Sequence, residues 1–170
     1  MSDTSRSAQW QVLEETAAAM LQTSDAASLI ECARASARNI LGADGFTLVK
    51  RIGEQTDYLA ENAIETLWAG MQFDIDKCLA GRAMLEEHTI VIPDITHVEN
   101  IPLNVYLATF IRSLVAVPFG GVPPTHAICA YWREARSIDP DEVAITEAFA
   151  RAIEGAMKRL GRDDMGNAAA

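Results

Sequence analysis

Apolar residues recur every three or four positions near both ends of the chain, which is the spacing of an amphipathic helix. The pattern predicts a first helix over residues 8–22 and a second over 24–41, with Ser24 as its N-cap. Gly42 suits the left-handed position that ends such a helix. A third helix is predicted over 139–160, where an aspartate followed by a proline and a glutamate forms a helix-start signal.

The central part of the chain shows strand patterns separated by turn residues. The last two predicted strands are apolar on both faces, so both faces of the sheet that they form must be covered. A long segment, 61–110, has short helical stretches but no single period, and a strand-like run within it precedes Cys78. The other predicted strands are 45–52, 56–63, 88–95, 112–119 and 126–134.

These elements together predict an α+β domain with an antiparallel sheet of about six strands. The terminal helices are expected on one face of the sheet, and segment 61–110 on the other as a cover of loops and short helices. Such a cover leaves room for a small-molecule pocket beneath it. We expect one domain over residues 8–160, a disordered start at 1–7 and a frayed tail at 161–170.

The composition narrows the possible partners. The 170 residues suit one domain, and a net charge of −10 disfavours nucleic acid and anionic membrane surfaces. The chain starts without an apolar leader and has no apolar run of membrane-spanning length, so we expect a cytoplasmic protein. The widely spaced Cys32, Cys78 and Cys129 are expected to be free thiols, and no spacing of cysteine and histidine predicts a metal site.

Cys78 raises the main chemical question. It follows a strand-like run and precedes a helical pattern, so a nucleophile, a cofactor attachment point, a metal ligand and a small core residue all have to be considered. Lys77 and a helix starting near Ala80 would place positive charge beside the thiol, as a reactive cysteine requires. We favour a half-buried residue in the pocket wall, with a redox role as the alternative. Cys32 and Cys129 are expected to be core residues.

Several further residues are candidates for binding a ligand. Arg112 begins a buried strand and needs a partner, either Asp94 or an anionic ligand. Tyr106 and Trp68 combine an aromatic ring with a polar group that would orient a ligand. No arrangement of residues predicts a catalytic site. The predicted ligand-binding set is Trp68, Phe73, Cys78, Asp94, Tyr106, Phe110, Arg112 and Tyr131.

Three segments of the chain resemble the GAF domain family: GRAMLEEHTIVIPDI (81–95), IPLNVYLATFIRSLVAVPF (101–119) and AICAYW (127–132). They are similar to the family's glycine and short helix, its aspartate-ended strand, its RSLxxVP strand and its AxxxYW strand. The resemblance covers about residues 25–160 and points to the single GAF modules of bacterial sensor kinases. It implies a six-stranded sheet, a small-molecule pocket opposite the terminal helices, and dimerisation through those helices.

Two groups of relatives with known chemistry differ from this chain at the relevant positions. Bilin-carrying relatives attach their chromophore through a cysteine that histidine usually follows, whereas Leu79 follows Cys78 here, so a bilin is not expected. Related free-methionine-sulfoxide reductases have a cysteine in the loop after the aspartate-containing strand, and the loop at 96–106 has none. The cofactor, if there is one, stays unknown.

The resemblance implies a small-molecule-binding sensory module in bacterial signal transduction. Such a module relays ligand occupancy through its terminal helices to a partner, for example a histidine kinase of a two-component system, and we expect a homodimer. The alternative is a thiol-based redox sensor or methionine-sulfoxide-reductase-like enzyme that uses Cys78. A third interpretation is an interaction domain whose pocket is packed shut by Met71, Phe73, Met84 and Phe110.

Overall fold

A computed structural model describes residues 2–168 of the chain, with side chains as far as residue 161. Its helices are α1 (Asp3–Met20), α2 (Ala26–Leu41), α3 (Leu79–Glu86), α4 (Leu103–Leu107) and α5 (Pro140–Ala168). Its strands are β1 (Gly45–Ile52), β2 (Gln55–Ala63), β3 (Gln72–Asp74), β4 (Ile90–Ile92), β5 (Ser113–Phe119) and β6 (His126–Trp132). Two 3₁₀ turns, Ile75–Lys77 and Ile95–His97, precede α3 and follow β4.

The six strands form one antiparallel sheet in the order β3-β2-β1-β6-β5-β4. Helices α2 and α5 lie against one face of this sheet, and α1 packs on both of them. Helix α3 lies against β5 and β6 within the cover on the opposite face. The predicted α+β architecture, with terminal helices on one face and a cover on the other, is therefore confirmed.

Alternation along the central strands divides the buried residues into two cores. In β1, Phe46 and Leu48 pack toward the helices, whereas Val49 packs under the cover. In β5 and β6 all residues except Pro118 and His126 are buried, on both faces of the sheet, which explains why these strands are apolar on both faces. The candidate site lies in the core on the cover side.

A β-bulge in β2 changes which residues reach that core. Leu48 of β1 lies opposite Ala60, but the next residue along β1, Val49, lies opposite Tyr58, so Leu59 is the extra residue. Tyr58 lies in the core under the cover, whereas Ala60 lies in the core under the helices. Beyond the bulge the alternation is inverted, and this inversion turns Glu61 toward the cover.

The first helix begins earlier than the sequence pattern indicates. Residues 3–7, which we expected to be disordered, form the first turns of α1, and Ser2 caps the helix by accepting the backbone N–H of Ser5. Arg6 anchors these turns, because its guanidinium donates to the carboxylates of Asp139 and Asp141 at the start of α5. The N-terminal turns are thus held by a contact between distant parts of the chain.

The other helix ends differ from the pattern at two places. The N-cap of α2 is Asp25 and not Ser24, while Gly42 takes the predicted left-handed position with φ of 58°. Helix α5 continues past Gly161 to Ala168, because a glycine inside a helix costs only about 1 kcal/mol relative to alanine. Residues 169 and 170, the end of the predicted tail, lie outside the described residues. Within the described range, no helix has the length and apolar character of a membrane span.

Candidate functional site

Five aromatic rings meet beneath the cover, and Trp68 is at their centre. The ring centroid of Trp68 lies 5.4 Å from that of Tyr106, 5.6 Å from Tyr58, 6.0 Å from Phe73 and 6.1 Å from Tyr131. All four contacts are close to perpendicular, with interplanar angles from 74° to 86°. Edge-to-face packing of this kind is the favoured arrangement of aromatic rings.

The space that these rings leave is small. A cavity of about 10 Å³ remains, which is the room that one water molecule needs. Tyr58, Trp68 and Tyr106 are buried in its walls, while Phe73 is half-buried and Lys77 is exposed at its edge. The cavity is also lined by Cys78 and Val105. The indole of Trp68 thus fills most of the space between the sheet and the cover.

Trp68 is carried by the loop that joins β2 to β3, residues 64–71. The carboxylate of Glu61 accepts the backbone N–H of Leu67 at 2.7 Å and that of Ala69 at 2.5 Å. Gly70, with φ of +83°, lets the chain turn back so that its N–H reaches the carbonyl of Tyr58 at 2.9 Å. The loop is therefore tied to β2 by one carboxylate and by backbone hydrogen bonds.

Two polar groups of the aromatic cluster have hydrogen-bond partners, and two do not. The hydroxyl of Tyr106 accepts the backbone N–H of Leu79 at 2.9 Å, and that of Tyr131 shares a hydrogen bond of 2.8 Å with Thr47. By contrast, neither the indole N–H of Trp68 nor the hydroxyl of Tyr58 has a hydrogen-bond partner among the described residues. Neither atom is sealed from solvent, so each keeps a donor that is free to bond an acceptor.

Cys78 is the N-cap of α3. Its Sγ accepts the backbone N–H of Gly81 at 3.4 Å and lies 3.5 Å from the hydroxyl of Thr56. Only 5% of the residue is exposed. A β-carbon at Gly81 would lie 1.9 Å from the carbonyl oxygen of Ile75, so only glycine allows α3 to begin this close to the preceding 3₁₀ turn. Cys78 therefore has a structural role and also faces the cavity.

Burial dominates the titration of the groups around the cavity. It raises the pKa of Tyr58, Tyr106 and Tyr131 above the usual range of a phenol. It also raises the pKa of the Cys129 thiol to about 12. These groups are neutral at pH 7, and no group of three or more metal-ligating side chains lies within the described part of the chain.

The structure brings five of the eight predicted residues together: Trp68, Phe73, Cys78, Tyr106 and Tyr131. Phe110 lies beside them, and its ring is so close to Gly45 that a β-carbon there would approach it to 2.7 Å. The sequence analysis missed Tyr58 and Glu61. Tyr58 could have been recognised as a candidate because it is an aromatic residue in a predicted strand. The orientation of Glu61 toward the cover depends on the bulge in β2, which the sequence pattern does not show.

Asp94 and Arg112 take structural roles away from the aromatic cluster. Asp94 caps the 3₁₀ turn after β4, where it accepts the hydroxyl of Thr96 at 2.6 Å and the backbone N–H of the same residue at 3.0 Å, and these two bonds lower the pKa of its carboxyl group. The Arg112 guanidinium donates to the carbonyls of Thr109 and Ile111 at 2.9 and 2.7 Å. The described ion pairs do not include one between Asp94 and Arg112.

The residues expected to close the pocket do so only in part. Met84 is fully buried beside the cluster, and Phe73 and Phe110 are half-buried against it. Met71 is 48% exposed and does not fill the space. The filling comes instead from Trp68.

Comparisons with known proteins support the fold. Neither a protein-family model nor a curated protein sequence matches the chain. Among solved structures, the GAF domain of a phosphoenolpyruvate-protein phosphotransferase from Coxiella burnetii matches with a TM-score of 0.80 and 11% identity, over 96% of this chain and 99% of that one. A free methionine-R-sulfoxide reductase from Neisseria meningitidis, in complex with its substrate, matches with a TM-score of 0.79 and 14% identity, over 96% and 95%.

A third match includes a bound chromophore. The phycocyanobilin-bound GAF domain of a cyanobacterial phytochrome has a TM-score of 0.76 and 18% identity, and the match covers 91% of this chain and 96% of that one. Identities this low show the shared fold alone. The similarity extends over nearly the whole chain in each case, and it confirms the resemblance seen in the sequence. The protein is therefore a domain with the GAF fold.

Proposed function

We propose that this protein is a small-molecule-binding sensory module, and that its ligand binds between the sheet and the cover. The observation that carries the proposal is the pair of unpartnered donors, the indole N–H of Trp68 and the hydroxyl of Tyr58, in the wall of one cavity. Neither donor has a partner within the described protein, so a ligand acceptor placed there would gain a hydrogen bond, each worth about 1 kcal/mol net.

The lining of the cavity indicates what kind of molecule fits. Four aromatic rings contribute apolar walls, and the two donors require an acceptor such as a carbonyl, sulfoxide or carboxylate oxygen. Lys77 at the edge adds a positive charge, in a protein whose net charge is −10. The predicted ligand is a small molecule with an apolar body and an electronegative end. Phe110 extends the apolar wall, while Asp94 and Arg112 support the cover without touching the ligand.

The output would pass through the terminal helices. Helices α1 and α5 pack together beside the sheet and are joined by Arg6, so a change in the sheet would reach both of them. A homodimer through these helices, in a cytoplasmic signalling system with a partner such as a histidine kinase, is the arrangement that we propose. Sedimentation that shows a monomer at tens of micromolar would remove the dimer from the proposal.

Mass spectrometry of freshly purified protein tests the binding role, with two tyrosine variants as a matched pair. Tyr58→Phe removes the free hydroxyl, whereas Tyr131→Phe removes a hydroxyl that Thr47 already binds. We expect a non-covalent adduct in native spectra of the wild type and of Tyr131→Phe. Loss of one hydrogen bond should weaken binding to Tyr58→Phe about five- to tenfold. Equal adduct occupancy in both variants would contradict the assignment of Tyr58.

A thiol-based function is the second candidate, and one observation favours it. The Cys78 sulfur faces the cavity at the N-terminus of α3, where a backbone N–H already points at it. Methionine sulfoxide supplied with dithiothreitol would then be reduced to methionine, with oxidation of the dithiol and release of water. We expect no turnover above a Cys78→Ser control. Turnover by the wild type alone would replace the sensory proposal by an enzymatic one.

A further inference from the structure

We infer that the ring of Trp68 is a built-in occupant of the ligand pocket, and that the ligand is a planar aromatic molecule of about the size of indole that displaces this ring. Once the indole has left, the hydroxyl of Tyr58 is the donor that remains to bind the ligand's acceptor. The inference rests on the proposed function only in supposing that a natural ligand exists. The shape of the space, and its present occupant, are properties of the structure itself.

The space that Trp68 occupies has the shape of a flat ring. Four rings present their edges or faces to the indole at near-perpendicular angles, from 74° to 86°. They leave about 10 Å³ beside it. Removal of the Trp68 side chain would therefore leave a flat space walled by Tyr58, Phe73, Tyr106 and Tyr131. A space of this form is complementary to a planar aromatic ring.

Trp68 and Trp132 differ in the hydrogen bonding of their indole N–H groups. Both indoles are buried, yet the Nε1–H of Trp132 donates to the carbonyl of Gly42 at 2.9 Å and its ring is stacked by Arg136. A buried tryptophan with a purely structural role usually has such a partner. The Nε1–H of Trp68 has no hydrogen-bond partner among the described residues. No hydrogen bond of the indole therefore opposes its displacement.

Trp68 is attached to the fold through a loop that is mostly exposed. Residues 64–66 and 69–71 of its loop are exposed, and only Leu67 and Trp68 are buried. The loop can therefore move outward without opening the rest of the core. Glu61 holds the loop against β2, because the Glu61 carboxylate accepts the backbone N–H groups of both Leu67 and Ala69. Release of the indole would break these two hydrogen bonds and the backbone bond from the Gly70 N–H to the carbonyl of Tyr58.

Cavity rescue by 5-fluoroindole tests the inference, with Trp68→Gly compared with Trp10→Gly in the full chain. Trp10 is 37% exposed on α1, so its removal leaves no enclosed space. We expect the ¹⁹F signal of 5-fluoroindole to broaden and shift with Trp68→Gly only. At ten times the dissociation constant, the melting temperature of Trp68→Gly should rise by about 3–6 °C. No binding to a folded Trp68→Gly, or equal binding to Trp10→Gly, would overturn the inference.

A second pair of variants keeps the test decisive if Trp68→Gly does not fold. Glu61→Ala releases the loop and leaves the indole in the protein, whereas Glu65→Ala changes an exposed glutamate of the same loop. We expect 5-fluoroindole to bind Glu61→Ala at least about fivefold more tightly than Glu65→Ala, because less free energy opposes displacement of Trp68. Equal affinities would overturn the inference.

The failure of this inference is distinguishable from the failure of the proposed function. A wild-type adduct in native mass spectra, combined with no binding of 5-fluoroindole to Trp68→Gly, would support the sensory function and contradict the displacement of Trp68 by the ligand. Binding of 5-fluoroindole to Trp68→Gly, combined with a wild type that shows no adduct, would support an indole-shaped space under the cover but would contradict the existence of a natural ligand. The latter pair of results would make the protein an interaction domain with a self-filled pocket.

Discussion

The carboxylate of Glu61 binds the backbone on both sides of Trp68. It accepts the N–H of Leu67 and the N–H of Ala69, so the indole between them is held in the cavity by a side chain of the neighbouring strand. The bulge at Leu59 turns Glu61 to this face. The occupancy of the pocket is thus linked to one carboxylate and one irregularity of β2.

Removal of that carboxylate is expected to loosen the loop selectively. Glu61→Ala deletes two hydrogen bonds to a charged group, so we expect a loss of about 2–3 kcal/mol in the free energy of unfolding, as measured by urea titration. Hydrogen exchange at the amides of Leu67 and Ala69 should become at least about tenfold faster. The matched variant Glu65→Ala should leave both quantities unchanged. Unchanged hydrogen exchange at these two amides in Glu61→Ala would show that the Glu61 carboxylate does not hold the loop in place.

Two glycine-to-alanine substitutions with opposite expected effects on stability test the packing at Gly81, beside Cys78, with Gly155 on α5 as the control. In Gly81→Ala the new methyl group would meet the carbonyl oxygen of Ile75 at 1.9 Å, so we expect a loss of about 3 kcal/mol or more. In Gly155→Ala the methyl group meets nothing within 4 Å on helix α5, and we expect a gain of about 0.4–1 kcal/mol. Denaturant titration of the two variants beside the wild type measures both. Similar stabilities would contradict the close approach of α3 to the 3₁₀ turn.

Alkaline pH is expected to destabilise the fold through its buried acids. The pKa of Cys129 is raised to about 12 in the fold, against about 8.5 in an unfolded chain. Between these values the unfolded state binds fewer protons, so stability falls as pH rises, by about 1.4 kcal/mol per pH unit for this thiol. The buried tyrosines add to the fall above pH 10, because their pKa values are raised as well.

Cys129→Ala isolates the contribution of the thiol. The variant should be less stable than the wild type at pH 7, because the buried sulfur is lost. The difference in unfolding free energy between the two proteins should then shrink between pH 8.5 and 10. Parallel curves over this range would show that Cys129 is not buried as a neutral thiol.

Thiol alkylation is expected to distinguish the three cysteines. Cys32 is half-buried on α2, whereas Cys78 and Cys129 are 5% and 1% exposed. N-ethylmaleimide at pH 7 should therefore modify Cys32 at least about tenfold faster than the other two, as followed by peptide mass spectrometry. Faster modification of Cys78 than of Cys32 would favour the thiol-based function.

Local patterns predicted the fold because its elements follow from short-range rules. The bounds of β1 and the end of α2 at Gly42 match the structure, since alternation and a left-handed glycine are both local signals. The clustering of Trp68 with Tyr106 and Tyr131 also followed from placing a cover over an apolar sheet. The structure and its matches among solved structures confirm both the GAF resemblance and the six-stranded sheet.

Long-range contacts account for what the sequence could not predict. Residues 3–7 look like a polar tail, yet they are helical because Arg6 reaches carboxylates more than 130 positions away. Arg112 needed a partner, but the carbonyls of Thr109 and Ile111 meet that need instead of Asp94. The bulge at Leu59 depends on how β2 pairs with β1, so period-two counting could not place Glu61.

The most direct test of the account is an NMR titration of the three tryptophan indole N–H groups. Protein labelled with ¹⁵N-tryptophan would be mixed with the low-molecular-mass fraction of a cell lysate. We predict that the Trp68 signal shifts or broadens while those of Trp10 and Trp132 stay in place, because Trp68 is the tryptophan that lines the proposed ligand pocket. An unchanged Trp68 signal, or a change at Trp10 or Trp132 without one at Trp68, would contradict a ligand site beneath the cover.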